Sequence, residues 1–150
     1  MRRTASEEAA RHEKEIFKAA KALATEIPNL KLGRFTLDKR LPVAAGLGGG
    51  SSDAAAALRL LARANRLKRN DKRLLKVAGS VGADVPVCID PRPRRMRGIG
   101  EKLSAPFAVP KLAAVLVNPG VAVSTKDVFA LLGLETGAAK RAARTRGLPR

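Results

Sequence analysis

Four glycines and two serines stand directly before a run of helix-forming residues in the segment GLGGGSSDAAAALRLLARA, residues 46–64. Glycine allows positive φ angles and close approach of the backbone, at an entropic cost. The preceding segment GRFTLDKRL, residues 33–41, alternates apolar and polar residues and predicts a half-buried strand. A strand, a glycine-rich loop and a helix start in succession present unpaired N–H groups to an anion. The stretch therefore predicts a phosphate-binding loop, with a purely structural turn as the alternative.

Two common phosphate-binding motifs do not match this loop. A P-loop requires Lys and then Ser or Thr after its last glycine, whereas Ser51 follows Gly50 directly. The dinucleotide fingerprint G-x-G-x-x-G, counted from Gly46, requires glycine where Ser51 stands. Ser51 and Ser52 supply hydroxyl groups that can donate to a phosphate or reach a Mg²⁺ ion carried by a nucleotide. Phosphate binding is nevertheless favoured over a structural turn by the four glycines, the two serines and the preceding Pro42.

Three segments have the periodicity of amphipathic helices. The first, residues 4–27, begins with a capping box of Thr4 and Glu7. Its predicted core positions are Ile16, Ala20, Leu23 and Ile27. The second begins at about Ser52, with Leu58, Leu61 and Ala62 on one side and Arg59, Arg63 and Arg66 on the other. The third follows Asp71, a predicted N-cap, with Leu74, Leu75 and Ala78 pointing inward.

The rest of the chain predicts shorter elements. GADVPVCI, residues 82–89, begins as a turn and continues as an apolar strand, and LAAVLV, residues 112–117, reads as a buried strand. Between them, PRPRRMRGIGE, residues 91–101, mixes proline, glycine and charge and predicts a domain boundary. STKDVFALLG, residues 124–133, predicts a capped helix, and the basic tail from residue 137 predicts disorder.

Composition excludes several classes of function. The net charge of +17 would suit a polyanion, yet the 30 basic residues are scattered and only four residues are aromatic, so nucleic acid is not an expected partner. One cysteine, Cys88, and one histidine, His12, exclude an intrachain disulfide and any cysteine or histidine cluster for a metal, so no protein metal site is predicted. Cys88 is expected to be a small core residue. No apolar run is long enough to span a membrane, and a cytoplasmic protein is expected.

Four segments in this order carry a family resemblance: GLGGGSSDAAAAL, GADVPVC, MRGIGE and VNPGVAVSTKDVF. They resemble the small-molecule kinases grouped as galactokinase, homoserine kinase, mevalonate kinase and phosphomevalonate kinase, the GHMP kinases. Within that group they are most similar to the branch that phosphorylates a cytidine diphosphate derivative of methylerythritol in non-mevalonate isoprenoid biosynthesis. The resemblance covers roughly residues 23–132 and implies an ATP-dependent kinase with a small-molecule substrate.

The resemblance also implies roles for individual residues. Asp84 is implied to be the catalytic carboxylate that accepts a proton from the 2-hydroxyl of the substrate as it attacks the γ-phosphate. ATP and Mg²⁺ are the implied cofactors. The residues implied to surround the ATP phosphates are Pro42, Val43, Ala44, Ala45, Gly46, Leu47, Gly48, Gly49, Gly50, Ser51 and Ser52.

The implied fold is an α/β (α+β) two-domain kinase, truncated at both ends. Residues 1–100 would form part of the ATP-binding N-terminal domain, which resembles ribosomal protein S5, and residues 101–150 would begin a ferredoxin-like C-terminal domain with a basic tail. The family's N-terminal lysine, which pairs with the catalytic aspartate, and its second glycine-rich motif are not found. We therefore expect a central fragment of reduced or absent activity that self-associates through truncated edges. Two alternatives stay open: another GHMP kinase, of the homoserine or mevalonate type, and an inactive nucleotide or polyanion binder.

Overall fold

The structure, a computed structural model, describes residues 5–38, 48–115, 117 and 130–131, with side chains from residue 13 onward. The chain divides into two compact units, Met1–Leu116 and Val117–Arg150. In the second unit, the described residues are Val117, which is exposed, and a helical pair at residues 130 and 131. The other described elements belong to the first unit. The predicted division after residue 100 stays a prediction, and the predicted disordered tail lies outside the described residues.

The first helix, α1, spans Ala5–Glu26 and confirms the predicted amphipathic segment. All four predicted core positions, from Ile16 to Ile27, are buried, because residues spaced three or four apart share one face of a helix. The helix ends two residues before Pro28, which cannot continue it. Thr4 of the predicted capping box lies outside the described residues.

The second helix, α2, spans Gly49–Ala64 and begins three residues earlier than predicted. Two of the four glycines, Gly49 and Gly50, therefore belong to its first turn rather than to a loop. A first turn tolerates glycine because packing further along holds the helix, and here Ala54, Ala55 and Leu58 are all buried. The predicted inward face of Leu58, Leu61 and Ala62 is confirmed.

The third helix, α3, spans Lys72–Val81 and begins at the predicted cap, with the Asp71 carboxylate accepting a 2.9 Å hydrogen bond from the Arg73 N–H. Leu74 and Ala78 are fully buried, as predicted. The inward position predicted for Leu75 is wrong, because its side chain is 38% exposed. Successive helix residues lie 100° apart, so Leu74 and Leu75 cannot share one buried stripe.

The predicted strand at residues 82–89 is wrong: Val85–Ile89 form a short helix, α4. Proline in a first helical turn loses no hydrogen bond, and Pro86 occupies such a position here. Val85 and Ile89, four residues apart, are both buried, which is helical spacing. The helix packs against α2 and α3, so its apolar residues are covered without a partner strand.

A small antiparallel hairpin follows, with β1 at Met96–Arg97 and β2 at Lys102–Leu103. Met96 lies opposite Leu103, and Arg97 lies opposite Lys102. The turn between the strands needs positive φ at Gly98 and Gly100, with values of 69° and 118°. This hairpin is the only sheet within the described residues, so an α-rich unit with a small sheet is consistent with the predicted α/β class.

Two other predicted strands are not formed where the structure describes them. Residues 34–38 and 112–115 are in neither helix nor sheet. A strand is stabilised by a hydrogen-bonded neighbour, and within the described ranges no strand lies beside either segment. The first still shows the predicted alternation, with Phe35 and Leu37 partly buried between exposed residues. The second was expected to be buried but is exposed, with Val115 at 87%.

Candidate functional site

The glycine-rich segment enters the described part of the structure at Gly48, and Pro42 to Leu47 lie outside it. Gly48 occupies the N-cap position of α2 with φ 68° and ψ 22°, in the left-handed region. An L-amino acid pays about 1–2 kcal/mol for that conformation, whereas glycine adopts it freely. A Cβ atom built on Gly48 would have no heavy atom of the described residues within 4 Å, so these residues leave space open beside the helix start.

The first turn of α2 offers backbone donors. The first helical hydrogen bond runs from the Ser52 N–H to the Gly48 carbonyl, at 3.1 Å. The N–H groups of Gly49, Gly50 and Ser51 precede this bond, so the helix itself provides no acceptors for them. They lie at the positive end of a 16-residue helix, which favours an anion. Ser51 is half-buried and Ser52 is exposed.

Asp84 occupies the N-cap position of α4 with an exposed side chain. Its backbone is in the right-handed helical region, at φ −90° and ψ −9°, and its carboxylate makes no capping hydrogen bond. The two residues after it, Val85 and Pro86, are buried in the core. A backbone held by the core therefore carries a carboxylate that is open to solvent.

Two of the four sequence motifs meet in the structure. Gly100, in the hairpin turn of MRGIGE, lies so close to GADVPVC that a Cβ atom there would be 2.7 Å from the Ala83 carbonyl oxygen. Glycine is thus required at Gly100 by close approach as well as by its φ of 118°. The first motif is linked less directly, because α2, which it begins, packs against α4. The fourth motif lies outside the described residues except for Val117.

Two side chains that the sequence did not single out as functional hold the region around Asp84. The Arg59 guanidinium, from α2, donates through Nη1 to the Cys88 carbonyl at the end of α4. Lys18, from α1, donates through Nζ to the Val81 carbonyl at 3.0 Å. Arg59 was predicted to lie on the polar side of α2 with no partner assigned. No local pattern could have found either contact, because the partners lie 29 and 63 residues away.

Cys88 is half-buried and packs against the core, close to its predicted role as a small apolar residue. Burial raises the pKa of its thiol, and the negative charge of Asp84 raises that pKa further, while the charge of Arg59 opposes the change. Asp84 and Arg59 thus both lie near Cys88. In the ranges that the structure describes, no group of three or more His, Cys, Asp or Glu side chains could hold a metal ion.

A cavity of about 980 Å³ lies elsewhere, between α3, α4 and the hairpin. Among the predicted site residues that the structure describes, neither Asp84 nor any of Gly48 to Ser52 lines it. Its lining includes Asp90, whose carboxylate binds both Arg92 and Arg94. Hydrogen bonds from Arg92 and then Arg94 lower the pKa of Asp90 to about 2. Both arginines are therefore already paired with a carboxylate of the protein.

Comparison with known proteins identifies the family. A family profile described as GHMP kinases N terminal domain matches residues 14–90. A protein of Xanthobacter autotrophicus named 4-diphosphocytidyl-2-C-methyl-D-erythritol kinase is 63% identical over 124 residues, which are 83% of this chain and 42% of that relative. Relatives of the same name from Bradyrhizobium diazoefficiens and Azorhizobium caulinodans are 63% and 62% identical, each over 81% of this chain and 41% and 42% of their own length.

The chain thus spans about two fifths of the length of these curated relatives. No solved structure matches it. Within the described residues, none of the helices has the length and apolar character needed to cross a membrane. The profile covers slightly more than half of the sequence, and it includes both the start of α2 and Asp84. The resemblance predicted from the motifs is confirmed, and the chain belongs to the GHMP kinase family.

Proposed function

We propose that this chain carries the phosphate loop and the catalytic aspartate of a kinase that transfers the γ-phosphate of ATP to the 2-hydroxyl of 4-diphosphocytidyl-2-C-methyl-D-erythritol. The observation that carries the proposal is the start of α2, where left-handed Gly48 precedes three backbone N–H groups that have no acceptor within the helix. The name of the relatives supports the choice of substrate over those of homoserine or mevalonate kinases.

In this proposal, Pro42 to Ser52 surround the ATP phosphates. The described part of this segment, from Gly48 onward, suits a phosphate: the missing Cβ of Gly48 leaves room for an oxygen, and the helix start supplies donors and a positive dipole. The hydroxyl groups of Ser51 and Ser52 can donate to phosphate oxygens or bind Mg²⁺. When bound, Mg²⁺ would neutralise charge on those oxygens.

Asp84 is proposed to act as the general base. As the substrate 2-hydroxyl oxygen forms its bond to the γ-phosphorus, the bond from that phosphorus to the β–γ bridging oxygen breaks and ADP leaves. The hydroxyl proton passes to the Asp84 carboxylate. An exposed carboxylate on a fixed backbone suits this role, since phosphoryl transfer asks the protein mainly for positioning and charge stabilisation.

The proposal also covers the domains, the partner and the location of the protein. Residues 1–100 would be part of an S5-like ATP-binding domain, and residues 101–150 the beginning of a ferredoxin-like domain. The partner is the small-molecule substrate, and a cytoplasmic location and self-association stay predictions. The inactive polyanion binder makes a different prediction, because its affinity would fall steeply with salt whatever the base of the nucleotide.

The test is an ATP titration of the 150-residue chain with Mg²⁺ present, in Gly48→Ala and Gly33→Ala variants. Gly33 is a matched control, since its φ is 69° and a Cβ built on it likewise has no heavy atom of the described residues within 4 Å. Both substitutions carry the same cost of about 1–2 kcal/mol in backbone strain. Only Gly48→Ala should also weaken ATP binding, by about tenfold or more, because its methyl group enters the phosphate space.

Equal ATP affinities in the two variants would overturn the assignment of the phosphate site. Binding that vanishes steeply between low and moderate salt, with no preference between ATP and inorganic polyphosphate, would instead favour the polyanion binder. Circular dichroism of both variants checks that α2 is still formed when affinity is compared.

A further inference from the structure

We propose that Arg59 is a positioning residue for Asp84: by holding the end of α4 against α2, it fixes the Asp84 carboxylate relative to the glycine-rich helix start. This inference rests on the proposed function, because it assigns a further residue to the same site. It starts from one contact, the hydrogen bond from Arg59 Nη1 to the Cys88 carbonyl.

The contact joins the two elements that carry the site. Arg59 lies ten positions after Gly49 on α2, about 15 Å along the helix at 1.5 Å per residue. Cys88 is the fourth of five residues in α4, which begins directly after Asp84. The carbonyl groups in the last turn of a helix accept no hydrogen bond within that helix, and a nearby cation interacts favourably with them. Arg59 therefore caps α4 from a neighbouring helix.

The short helix depends on such a contact for its orientation. Five residues make little more than one turn, which is too short to be stable alone. The side chains of Val85, Pro86 and Ile89 add apolar contacts in the core. Apolar burial is less directional than a hydrogen bond, so it holds α4 in the core and leaves small rotations of the helix possible. A hydrogen bond at Cys88 restricts those rotations further, and Asp84 would move with any turn of the helix.

The chain before Asp84 is restrained separately. Lys18 Nζ binds the Val81 carbonyl at 3.0 Å, and the backbone of Gly100 lies against the Ala83 carbonyl. Neither of these contacts involves α2. The hydrogen bond of Arg59 thus ties the Asp84 helix directly to the helix that begins at the phosphate loop.

The first experiment uses Cys88, the single cysteine of the chain, as a probe of α4. Its alkylation rate by iodoacetamide is measured in the 150-residue chain and in Arg59→Ala, Arg59→Lys and Arg63→Ala variants. Arg63 is the control, being exposed and four residues further along the same helix. We expect about tenfold faster alkylation in Arg59→Ala, an intermediate rate in Arg59→Lys and no change in Arg63→Ala. Removing the Arg59 charge would by itself raise the thiol pKa and slow the reaction, so acceleration reports a released helix.

The second experiment measures phosphoryl transfer in a chimera. In it, the 124 residues of this chain that match the Xanthobacter relative replace the corresponding segment of that relative. Arg59→Ala should lower kcat by about 10- to 100-fold, since displacement by about 1 Å can cost that much, while KM for ATP changes less than twofold. Arg59→Lys keeps a cation and a hydrogen-bond donor, so it should recover part of kcat. A general loss of stability in Arg59→Ala would not explain such a recovery. If Arg59→Ala does not fold, the alkylation rate and kcat are both compared between Arg59→Lys and the original chain.

Unchanged alkylation in Arg59→Ala would overturn the proposal, and so would fast alkylation with an unchanged kcat, which would leave Arg59 a purely structural cap. An Asp84→Asn chimera of full activity would overturn the proposed role of Asp84 itself, and this proposal with it. The three failures are distinguishable, because alkylation reports the helix contact whether or not the enzyme turns over.

Discussion

Two aspartates, Asp71 and Asp84, occupy the same position at the starts of neighbouring helices, yet their carboxylates have opposite environments. Asp71 accepts the Arg73 N–H as a helix cap and also pairs with the Arg73 guanidinium, at 2.8 Å. Asp84 makes no capping hydrogen bond, and its side chain is exposed. One carboxylate is used to stabilise its own helix, while the other is left available for a ligand.

The difference follows from the way each helix is held. α3 has ten residues and a cap on its own chain, so its start is satisfied locally. α4 has five residues and is held by core contacts and by Arg59 at its other end. A carboxylate that does not stabilise its own helix is available for the proposed role of general base. The comparison predicts that changes at Asp71 will affect stability and changes at Asp84 will affect activity.

The largest expected effect is on catalysis. In the chimera, Asp84→Asn should lower kcat by about 10²- to 10⁴-fold, the usual contribution of a general base, because the amide cannot accept the proton. The urea midpoint should hardly move, since Asp84 does not cap α4. Asp71→Asn is the matched control and should keep kcat within about twofold. Comparable kcat losses in the two variants would remove the distinction between the two aspartates.

The next effect is on stability. Asp71→Ala should lower the free energy of unfolding by about 1 kcal/mol, the typical value of a lost N-cap, because the Arg73 N–H loses its acceptor. Asp84→Ala should change the free energy of unfolding by less than about 0.5 kcal/mol. Urea denaturation followed by circular dichroism measures both. A larger loss in Asp84→Ala than in Asp71→Ala would show that α4 does depend on its aspartate.

The smallest effect concerns pH. A side-chain hydrogen bond from Arg73, followed by the Arg73 N–H, lowers the pKa of Asp71 to about 2, against about 3.9 in an unfolded chain. The unfolded state therefore binds the proton more readily, so this contribution is present above pH 4 and is lost as the pH falls towards 2. Urea midpoints between pH 5 and pH 2.5 should converge for the original chain and Asp71→Asn. A constant gap between them would contradict this assignment.

Local chemistry made much of the fold predictable. The three longer helices follow from apolar spacing, and the Asp71 cap was read directly from the residue type at the start of α3. The phosphate loop was predicted from its glycines, and the left-handed Gly48 supports that interpretation because only glycine adopts this conformation without strain. The helical start at Gly49 was missed, since glycine by itself disfavours a helix.

Non-local contacts account for the errors. VPVCI is rich in β-branched and apolar residues and was predicted as a strand, yet it is a helix because α2 and α3 cover its apolar face. The spacing of Val85 and Ile89 was the available signal, but over five residues it fits several structures. LAAVLV was predicted as a buried strand because of its composition, and composition carries no information about which neighbour would bury it.

The sequence by itself determined the family, the glycine at the start of α2, the cap of α3 and the residue types of the proposed site. Each of these features depends on the type, spacing and backbone preference of a few consecutive residues. Only the tertiary structure decided that Val85–Ile89 is helical, that Gly100 lies against Ala83, and that Arg59 reaches the end of α4. Each of these joins residues far apart in sequence, and such pairs are selected by packing rather than by local preference.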